Sequence, residues 1–545
     1  MSYSFEHLIV VPIVLPLVSA ALMLLLDERR RSLRAAINVL STLILLGVAV
    51  ALLRFADTAT TNGGGSVGVY LLGNWSAPFG IVLVVDRLSA LMLVLTSILA
   101  LAALLFSIAR WHRVGVHFHV LVQFLLLGLN GAFLTGDLFN LFVFFEVLLA
   151  ASYGLVLHGS GGPRVKAGLH YIAINLATSS LFLIGVSLIY GTTGTLNMAE
   201  LAARIPSTAD GDRMLLEAGA AILGVAFLVK AGMWPLCLWL PGTYAVAPTP
   251  VAALFSIMTK VGVYVVLRLW LLLFGGEAGT SAHFGGDLLL TGGIATVVFG
   301  SLGVLASQDL ARLAGFNVLV SSGTLLAVIA VGDAAVTGGA LYYLVSSALA
   351  ISAFFLLIEL VERGRVAGAD MLAIPIEAFG DEEEDEEVVV GVAIPATMAI
   401  LGVSFACCAL LLAGLPPLAG FIAKFLLLSA LFQPAKIGAS VAVGPTAWTL
   451  MALLMLSGLA VVIAMMRAGI RVFWVPTEST VPSVRVIEMA PIAALLLLCF
   501  ALTVQGGPVM RFMQATAQSL HAPQTYVRDV LAAPRVQRPS KEGGL

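Results

Sequence analysis

The sequence predicts an all-α polytopic membrane protein with about 14 transmembrane helices. Of its 545 residues, 60% are hydrophobic and 11% are charged, whereas charged residues make up about 25% of soluble proteins. The mean hydropathy is +1.05. Apolar runs of about 20 residues, the length that crosses a hydrocarbon layer of about 30 Å, recur through most of the chain. These properties exclude a soluble globular protein.

The individual spans follow from the apolar runs when charges, Gly and Pro are taken as their limits. They cover 7–26, 36–54, 81–109, 117–135, 138–157, 167–190, 217–240, 248–273, 286–306, 312–331, 336–361, 390–414 with its continuation 417–432, 446–466 and 487–505. The first run has no basic segment before it and no small-residue cleavage site after it, so we expect it to remain as a span.

The arginines and lysines of the short loops are divided unevenly between the two sides of the membrane. One side carries a long series that begins with Arg29 and ends with Arg485, and the other side carries only Arg54, Arg204, Arg213 and Lys436. By the positive-inside rule, the DERRRSLR loop after the first span is cytoplasmic. Both termini are then extracytoplasmic.

Two of the spans contain helix-breaking sequences. The seventh contains Lys230 followed by Ala-Gly-Met-Trp-Pro235, and the twelfth contains Gly414-Leu-Pro-Pro-Leu-Ala-Gly420. Proline removes a backbone hydrogen bond and clashes with the preceding turn, so we expect each helix to open there. Open backbone at membrane depth is tolerated where it packs against protein or lines a water-filled cavity. Interrupted helices five spans apart indicate an inverted repeat, as in many ion-coupled transporters.

Composition also limits the cofactors and partners. The net charge of −2 leaves no basic surface for nucleic acid. The 4 cysteines lie inside apolar runs without a CxxC pair, which indicates buried apolar side chains rather than metal ligands. We find no haem, iron–sulfur or nucleotide motif and expect no cofactor and no metal site. The acidic loop at 380–387 is interpreted as a solvated connector.

Four charged residues lie well inside predicted spans: Glu146 in the fifth, Lys230 in the seventh, Lys260 in the eighth and Lys424 in the twelfth. A charge at the centre of a transmembrane helix costs about 2.5–3.5 kcal/mol on insertion scales, so such residues are functional candidates. Burial disfavours the charged form of an amine or a carboxyl group, and a nearby opposite charge restores it. We therefore expect Glu146 to control whether Lys230 holds its proton, and Lys260 and Lys424 to pass that proton across the membrane.

Further charges lie near the predicted ends of spans. Asp86 and Arg87 precede the body of the third span, and Asp137 precedes the fifth. We interpret these three as helix ends or members of a local ion pair rather than as sites of ion uptake. Arg268 at the end of the eighth span and Glu359 in the eleventh are interpreted as residues of the membrane interface.

Four segments of the sequence resemble a known family. They are GAFLTGDLFNLFVFFEVLLAASYGLVLHG, FLVKAGMWPLCLWLPGTYAVAPTPVAALFSIMTKVGVYVVLR, QDLARLAGFNVLVSSGTLL and LAGLPPLAGFIAKF. With most of the chain around them, these segments resemble the D subunit of the multisubunit Mrp/Pha-type monovalent cation/proton antiporters. More distantly, they resemble the antiporter-like membrane subunits of respiratory complex I and membrane-bound hydrogenases. The acidic loop and the GVAIPATMAILG segment after it resemble the proteobacterial Pha form.

The resemblance implies two inverted five-helix repeats with broken helices in the seventh and twelfth spans. The N-terminal three transmembrane helices then lie within 1–110, and the first repeat, helices 4 to 8, lies within 117–273. The second repeat, helices 9 to 13, lies within 286–466 and includes the acidic loop. The last helix and an extracytoplasmic tail lie within 487–545.

The resemblance also implies roles for the four buried charges. Glu146 matches a glutamate that modulates a neighbouring lysine, Lys230 the lysine at the centre of the proton path, Lys260 a relay residue and Lys424 a lysine near the exit. Family members commonly have a histidine after the Tyr-Tyr-Leu stretch of the eleventh helix, where this sequence has Ser346. Serine does not titrate near neutral pH, so water held by Ser346 carries that step, the route bypasses the helix, or transport is altered.

Three functions are compatible with these features. The resemblance favours a proton-translocating subunit of an Na⁺ or K⁺/proton antiporter, associated with other membrane subunits in the bacterial inner membrane and not an enzyme. The alternative is a proton-pumping subunit of a complex I-like or hydrogenase redox enzyme. A third is a scaffold in which Glu146 and Lys230 only pair and Lys260 extends to the membrane surface. Buried ion pairs add little stability, which disfavours the scaffold.

Overall fold

The structure is a computed structural model. It describes residues 7–27, 29–61, 67–111, 114–115, 117–363, 396–432, 444–473 and 484–535. The predicted acidic loop at 380–387 lies outside these residues. The described part of the chain forms nineteen α-helices and one two-stranded antiparallel sheet.

The elements are numbered in chain order. Helices α1 to α10 are Val11–Leu25, Arg31–Thr61, Arg87–Ile108, Phe118–Leu134, Leu138–Val156, Gly162–Thr193, Met198–Arg204, Asp210–Ala231, Trp239–Val246 and Thr249–Phe274. Helices α11 to α19 are Gly286–Ala306, Leu310–Ile329, Ala334–Glu362, Ala396–Ala413, Ala419–Phe432, Pro445–Phe473, Val486–Val504, Gly506–His521 and Gln524–Leu531. Strands β1 and β2 are Gly68–Leu71 and Val82–Val85.

The predicted all-α polytopic membrane fold is confirmed. Twelve helices of the described residues are long and apolar enough to cross a membrane, and α1, α4 and α15 are shorter apolar helices. Every predicted span coincides with at least one helix, and the seventh and twelfth coincide with two each. The count of fourteen spans, the inverted symmetry of the repeats and the domain boundaries stay predictions.

Helices α10, α12 and α13 form the centre of the bundle. In the most apolar 18-residue stretch of each of these helices, 89% of the residues are buried inside the protein, whereas the corresponding share is 33% in α2, α6 and α11. An apolar helix that is buried on all sides is typical of the middle of a large bundle, whereas an apolar face left open suits contact with lipid. The centre of the bundle is therefore the place farthest from both lipid and water.

Both helix breaks lie where the sequence predicts them. Helix α8 ends at Ala231, and Gly232 follows with a φ of 74°, while α14 ends at Ala413, and Gly414 follows with a φ of 75°. Glycine adopts this left-handed conformation without steric cost, and it is common directly after a helix. The chain resumes as α9 and α15. Each break leaves the last carbonyl groups of α8 or α14 available to side chains.

The third transmembrane helix is shorter than its predicted span. The sequence predicts a span over 81–109, but residues 82–85 form strand β2 and helix α3 begins at Arg87. Asp86 separates the two elements and caps the helix, because its carboxylate accepts a hydrogen bond from the backbone nitrogen of Ser89 at 2.9 Å. Periodicity alone does not distinguish a short apolar strand from a buried helical segment, so the predicted start is wrong.

The chain folds back onto the bundle after the last predicted span. Helix α18 packs against the start of α13, where Thr337 contacts His521 at 2.9 Å and a Cβ atom placed on Gly338 would lie 3.2 Å from the Gln514 Cα atom. We name the side of the protein that carries α18 and α19 the tail face. The arginine distribution predicts that this face is extracytoplasmic.

The end of α8 and the middle of α10 touch backbone to backbone at Gly262. A Cβ atom placed on Gly262 would lie 2.5 Å from the Ala231 nitrogen and 2.9 Å from the Lys230 carbonyl carbon. Real Cβ atoms do not approach backbone so closely, so this contact requires glycine. The contact holds α10 against the helical turn that carries Lys230.

Substitution of Gly262 by Ala is expected to destabilise the protein. The added methyl group forces α8 and α10 apart, and overpacking of this kind costs about 1–3 kcal/mol. The matched control is Gly224→Ala in α8, where an added Cβ meets nothing within 4 Å and the gain in helix propensity is about 1 kcal/mol. Thermal unfolding of the purified proteins in detergent measures both. An unfolding temperature of Gly262→Ala at or above that of Gly224→Ala would contradict the packing.

Candidate functional site

Glu146 and Lys230 are joined through helix α6 rather than by a direct ion pair. The Ser179 hydroxyl donates a hydrogen bond to the Glu146 carboxylate, and the Lys230 amine donates one to the side-chain oxygen of Asn175. Asn175 and Ser179 lie one turn apart, so their side chains share one face of α6, with about 5–6 Å between Cβ atoms. Asn175 and Ser179 therefore connect the two predicted partners, and we call this pair of residues the α6 bridge.

Asn175 is oriented by a second set of hydrogen bonds. Its Nδ2 donates to the Tyr171 carbonyl at 2.7 Å, and the Tyr171 hydroxyl bonds Ser152 of α5 at 2.8 Å. All three side chains are buried. Because the nitrogen of the amide is occupied, its oxygen is the atom that faces Lys230. This orientation offers an acceptor to a protonated lysine.

Lys260 lies near the middle of α10 and has no exposed surface. Its amine donates to the Ser321 hydroxyl of α12 at 2.5 Å, and that hydroxyl donates to Ser347 of α13 at 2.9 Å. The Ser347 hydroxyl in turn donates to the Leu344 carbonyl at 3.2 Å. Lys260 therefore does not extend to the membrane surface. A chain of donors leads from it across the two other central helices.

A small cavity continues this chain toward the second helix break. Its volume is about 20 Å³, and it is lined by Asn317, Val320, Ser321, Tyr343, Ser346, Ser347, Ile351, Leu411, Leu412 and Gly420. A water molecule needs about 10–15 Å³ of such space and two to four polar partners. The cavity thus has room for one water molecule among hydroxyl groups. Ser346 lines it at the position where the resemblance implies a histidine.

Lys424 is bonded to the open end of α14. Its amine donates to the carbonyl of Ala413, the last residue of that helix, at 2.8 Å. Its side chain crosses Gly414, where an added Cβ would lie 2.6 Å from the Lys424 Cδ atom. An added Cβ on Gly458 of α16 would lie 3.2 Å from the amine itself. Two glycines thus make room for Lys424 inside the break.

All three lysines donate hydrogen bonds to uncharged acceptors. Each amine donates to a neutral oxygen, and no carboxylate of the described residues forms an ion pair with any of them. Lys230 lies in the last turn of α8, and the amine of Lys424, a residue of α15, lies at the C-terminal end of α14. There the helix dipole presents about half a negative elementary charge. Such surroundings solvate an ammonium group in part, which suits a group that gains and loses a proton.

Other predicted charges have structural partners. Asp137 caps α5 by accepting a backbone hydrogen bond, as predicted for a helix end. Arg87 pairs with Asp57 at 2.8 Å. The interpretation of Arg268 as an interface residue is wrong, because it is buried and pairs with Asp86 at 2.5 Å. The Tyr526 ring of α19 packs against the Arg268 guanidinium group, 5.6 Å from the ring centre.

Glu359 joins three helices on the side opposite the tail face. It lies in the last turn of α13 and accepts a hydrogen bond from the indole of Trp111, just after α3, at 2.7 Å. Arg363 bonds both Glu359 and Glu488 of α17 at 2.7 Å. The sequence places Glu359 near an interface, and these charged partners at the ends of α3, α13 and α17 agree with that position.

Three uncharged residues of the site, Asn175, Ser179 and Ser321, were not predicted from the sequence. Small polar residues are common in membrane helices, and their side chains often bond their own backbone. Ser180, next to Ser179, does so by donating to the Leu176 carbonyl at 3.2 Å. The available signal is the polar run Thr178-Ser-Ser180, three residues after Asn175 in an otherwise apolar span.

Comparisons with known proteins agree with this architecture. The sequence model of the family described as NADH:quinone oxidoreductase/Mrp antiporter, TM, matches residues 135–449. The D subunit of a probable K⁺/H⁺ antiporter of Rhizobium meliloti is 61% identical over 97% of this chain and 98% of its own length. The D subunit of the Na⁺/H⁺ antiporter of Bacillus subtilis is 32% identical over 96% of this chain and 99% of its own.

A solved structure shares the fold. A chain of the Mrp complex from Dietzia sp. DQ12-45-1b superposes with a TM-score of 0.80 at 26% identity and covers 97% of this chain and 100% of its own length. The family match spans both helix breaks and the four charged residues Glu146, Lys230, Lys260 and Lys424. This chain therefore belongs to the NADH:quinone oxidoreductase/Mrp antiporter family of membrane proteins.

Proposed function

We propose that the chain is the proton-translocating D subunit of a multisubunit monovalent cation/proton antiporter, acting in the bacterial inner membrane with other membrane subunits and not as an enzyme. The names of the two full-length relatives support antiport of K⁺ or Na⁺, and the shared fold of the Mrp complex supports assembly with partners. The observation that carries the proposal is the set of three lysines inside the helical bundle, Lys230, Lys260 and Lys424, whose amines donate to neutral oxygens.

The proposed mechanism begins at the α6 bridge. While Glu146 is ionised and bonded by Ser179, its field favours the protonated form of Lys230. Neutralisation of Glu146, or a displacement of its carboxylate from the bridge, removes that support, and Lys230 releases its proton. Because Gly262 holds α10 against the turn of Lys230, the proton is released close to the helix that carries Lys260.

The second half of the path uses hydroxyl groups and water. Lys260 passes its proton along the Ser321 and Ser347 hydroxyls and a water molecule in the cavity toward Lys424. A hydroxyl group donates one proton while it accepts another, so it relays a proton without becoming charged. This arrangement replaces the titratable histidine that the resemblance implies near Ser346. The cation is moved by the assembled complex, and its path is not assigned to this chain.

The alternative is a proton-pumping subunit of a redox enzyme. The matched family includes NADH:quinone oxidoreductase subunits, in which electron carriers on other chains drive similar helices. Genes for other antiporter subunits beside the gene of this chain favour the antiporter, and genes for quinone reductase or hydrogenase subunits favour the alternative. Comparison of K⁺, Na⁺ and Li⁺ in transport by the whole complex identifies the cation.

Substitution of Lys230 by Met is expected to abolish transport. Methionine keeps the length of the side chain but holds no proton, so the first relay site is lost. Everted vesicles that contain the whole complex measure cation-dependent proton movement, and co-purification of the subunits measures assembly. The control is Lys166→Met, because Lys166 is exposed at the start of α6. Undiminished transport by an assembled Lys230→Met complex would refute the proposal.

Removal of the Ser179 hydroxyl is expected to slow transport about tenfold, because a hydrogen bond to a charged group contributes about 1.5–3 kcal/mol. The bridge that positions Glu146 is then broken, while both charges remain. Ser180→Ala is the matched control, since the hydroxyl of this exposed neighbour bonds only its own helix. Initial rates in the same vesicles compare the two variants. Equal rates for Ser179→Ala and Ser180→Ala would rule out a role of the bridge.

Loss of the Ser321 hydroxyl is expected to slow transport by a similar factor of about ten, since the partner of Lys260 is removed. The matched control is Ser322→Ala, because the buried Ser322 hydroxyl has no hydrogen-bond partner among the described residues. Transport rates are compared at equal amounts of assembled complex. If Ser321→Ala transports at the rate of Ser322→Ala, protons do not pass Lys260 by this route.

A further inference from the structure

Three buried polar side chains form a stripe on α10: Lys260, Tyr264 and Arg268. Residues four apart lie on one face of a helix, and the eight residues from Lys260 to Arg268 rise about 12 Å along its axis. Tyr264 lies between the two charges, and its hydroxyl donates to the Phe133 carbonyl at 2.8 Å. The stripe leads from the relay lysine to the end of α10 at the tail face.

The outer end of the stripe is a buried ion pair. Arg268 donates to both carboxylate oxygens of Asp86, at 2.5 and 2.7 Å. Its guanidinium group lies between the rings of Tyr264 and Tyr526, 5.6 Å from each ring centre. Asp86 and Arg268 are each 8% exposed. Tyr526 belongs to α19, so the tail helix covers the pair.

A cavity of about 550 Å³ opens from the tail face onto this pair. Asp86, Arg268 and Tyr526 form its inner end, while Gln518 and Arg528 at its rim are exposed. A second cavity of about 630 Å³ lies on the other side of α19, but its acidic residue, Glu277, is exposed. Of these two cavities, only the first contacts a buried ion pair, and Arg268 of that pair belongs to the α10 stripe that leads to Lys260.

A contribution to folding stability does not by itself explain why a buried ion pair is present here. Replacement of a buried ion pair by apolar residues of similar volume is often neutral or stabilising. Charged residues at membrane depth commonly mark routes of ions or protons. Asp86 already serves as the cap of α3, and a neutral serine or asparagine would suffice for that purpose. Capping therefore does not explain the buried Arg268 that pairs with Asp86, which indicates a further role for the pair.

We propose that this cavity is the tail-face port for protons, with the Asp86 carboxylate as the group that receives them and Tyr526 as the cover. When Arg268 separates from Asp86, the carboxylate takes up one proton from water in the cavity and releases it along the α10 stripe to the unprotonated amine of Lys260. The other charged groups at the port are the pair Arg87 and Asp57 and Arg528 at the rim. The proposal rests on the proposed function of the chain.

The test places a thiol inside the port. Of these two cavities, Ser519 lines only the first and Val527 lines only the second. Spheroplasts that carry the whole complex with Ser519→Cys or Val527→Cys are treated with a membrane-impermeant cationic methanethiosulfonate before everted vesicles are prepared. We expect modification of Ser519→Cys to cause a several-fold loss of cation-dependent proton movement. The modified Val527→Cys complex should retain its rate.

Untreated vesicles separate this proposal from the proposed function. If the unsubstituted complex moves no protons in response to K⁺ or Na⁺, the proposed function fails. If the Ser519→Cys complex is inactive before treatment, Thr525→Cys, which lines the same cavity, replaces it. The port is refuted if the thiol is modified with transport undiminished, if the reagent does not reach it, or if Val527→Cys loses transport equally.

Discussion

A lysine in the middle of a membrane protein has no bulk water to solvate its charge, and the whole site depends on how that charge is solvated instead. A carboxylate in direct contact would hold the proton permanently, and an apolar pocket would never accept it. Lys230, Lys260 and Lys424 meet an amide oxygen, a hydroxyl and a backbone carbonyl. These acceptors lie between the two extremes, so that both protonation states are accessible.

The two helix breaks supply part of this solvation. A helix that stops inside the membrane exposes its last carbonyl groups and the negative end of its dipole. Lys230 lies in the last turn of α8, and Lys424 bonds the last carbonyl of α14. The left-handed glycines Gly232 and Gly414 end the two helices at these points. A break thus presents partial negative charge to a cation, while no carboxylate in the described part of the chain pairs with either lysine.

The sequence predicts the charged members of the site because a charge inside an apolar span has no ordinary explanation. It does not predict Asn175, Ser179 or Ser321, since the same residue types occur in membrane helices with only local hydrogen bonds, as at Ser180. Which of two neighbouring serines faces a partner depends on how helices pack. The start of α3 was missed for a related reason, because the strand and the helix are equally apolar.

Lys260 differs from the other two lysines, since it lies within an unbroken helix and its amine donates to a side-chain hydroxyl. Its position connects three regions. Gly262 brings α10 against the turn of Lys230, Ser321 leads toward the cavity before Lys424, and the stripe through Tyr264 leads to the tail face. In the proposed mechanism, Lys260 passes its proton to whichever of these three routes offers the better acceptor. In the same proposed mechanism, small movements of α8, α12 or α19 choose the direction of transfer, and the central helix itself stays in place.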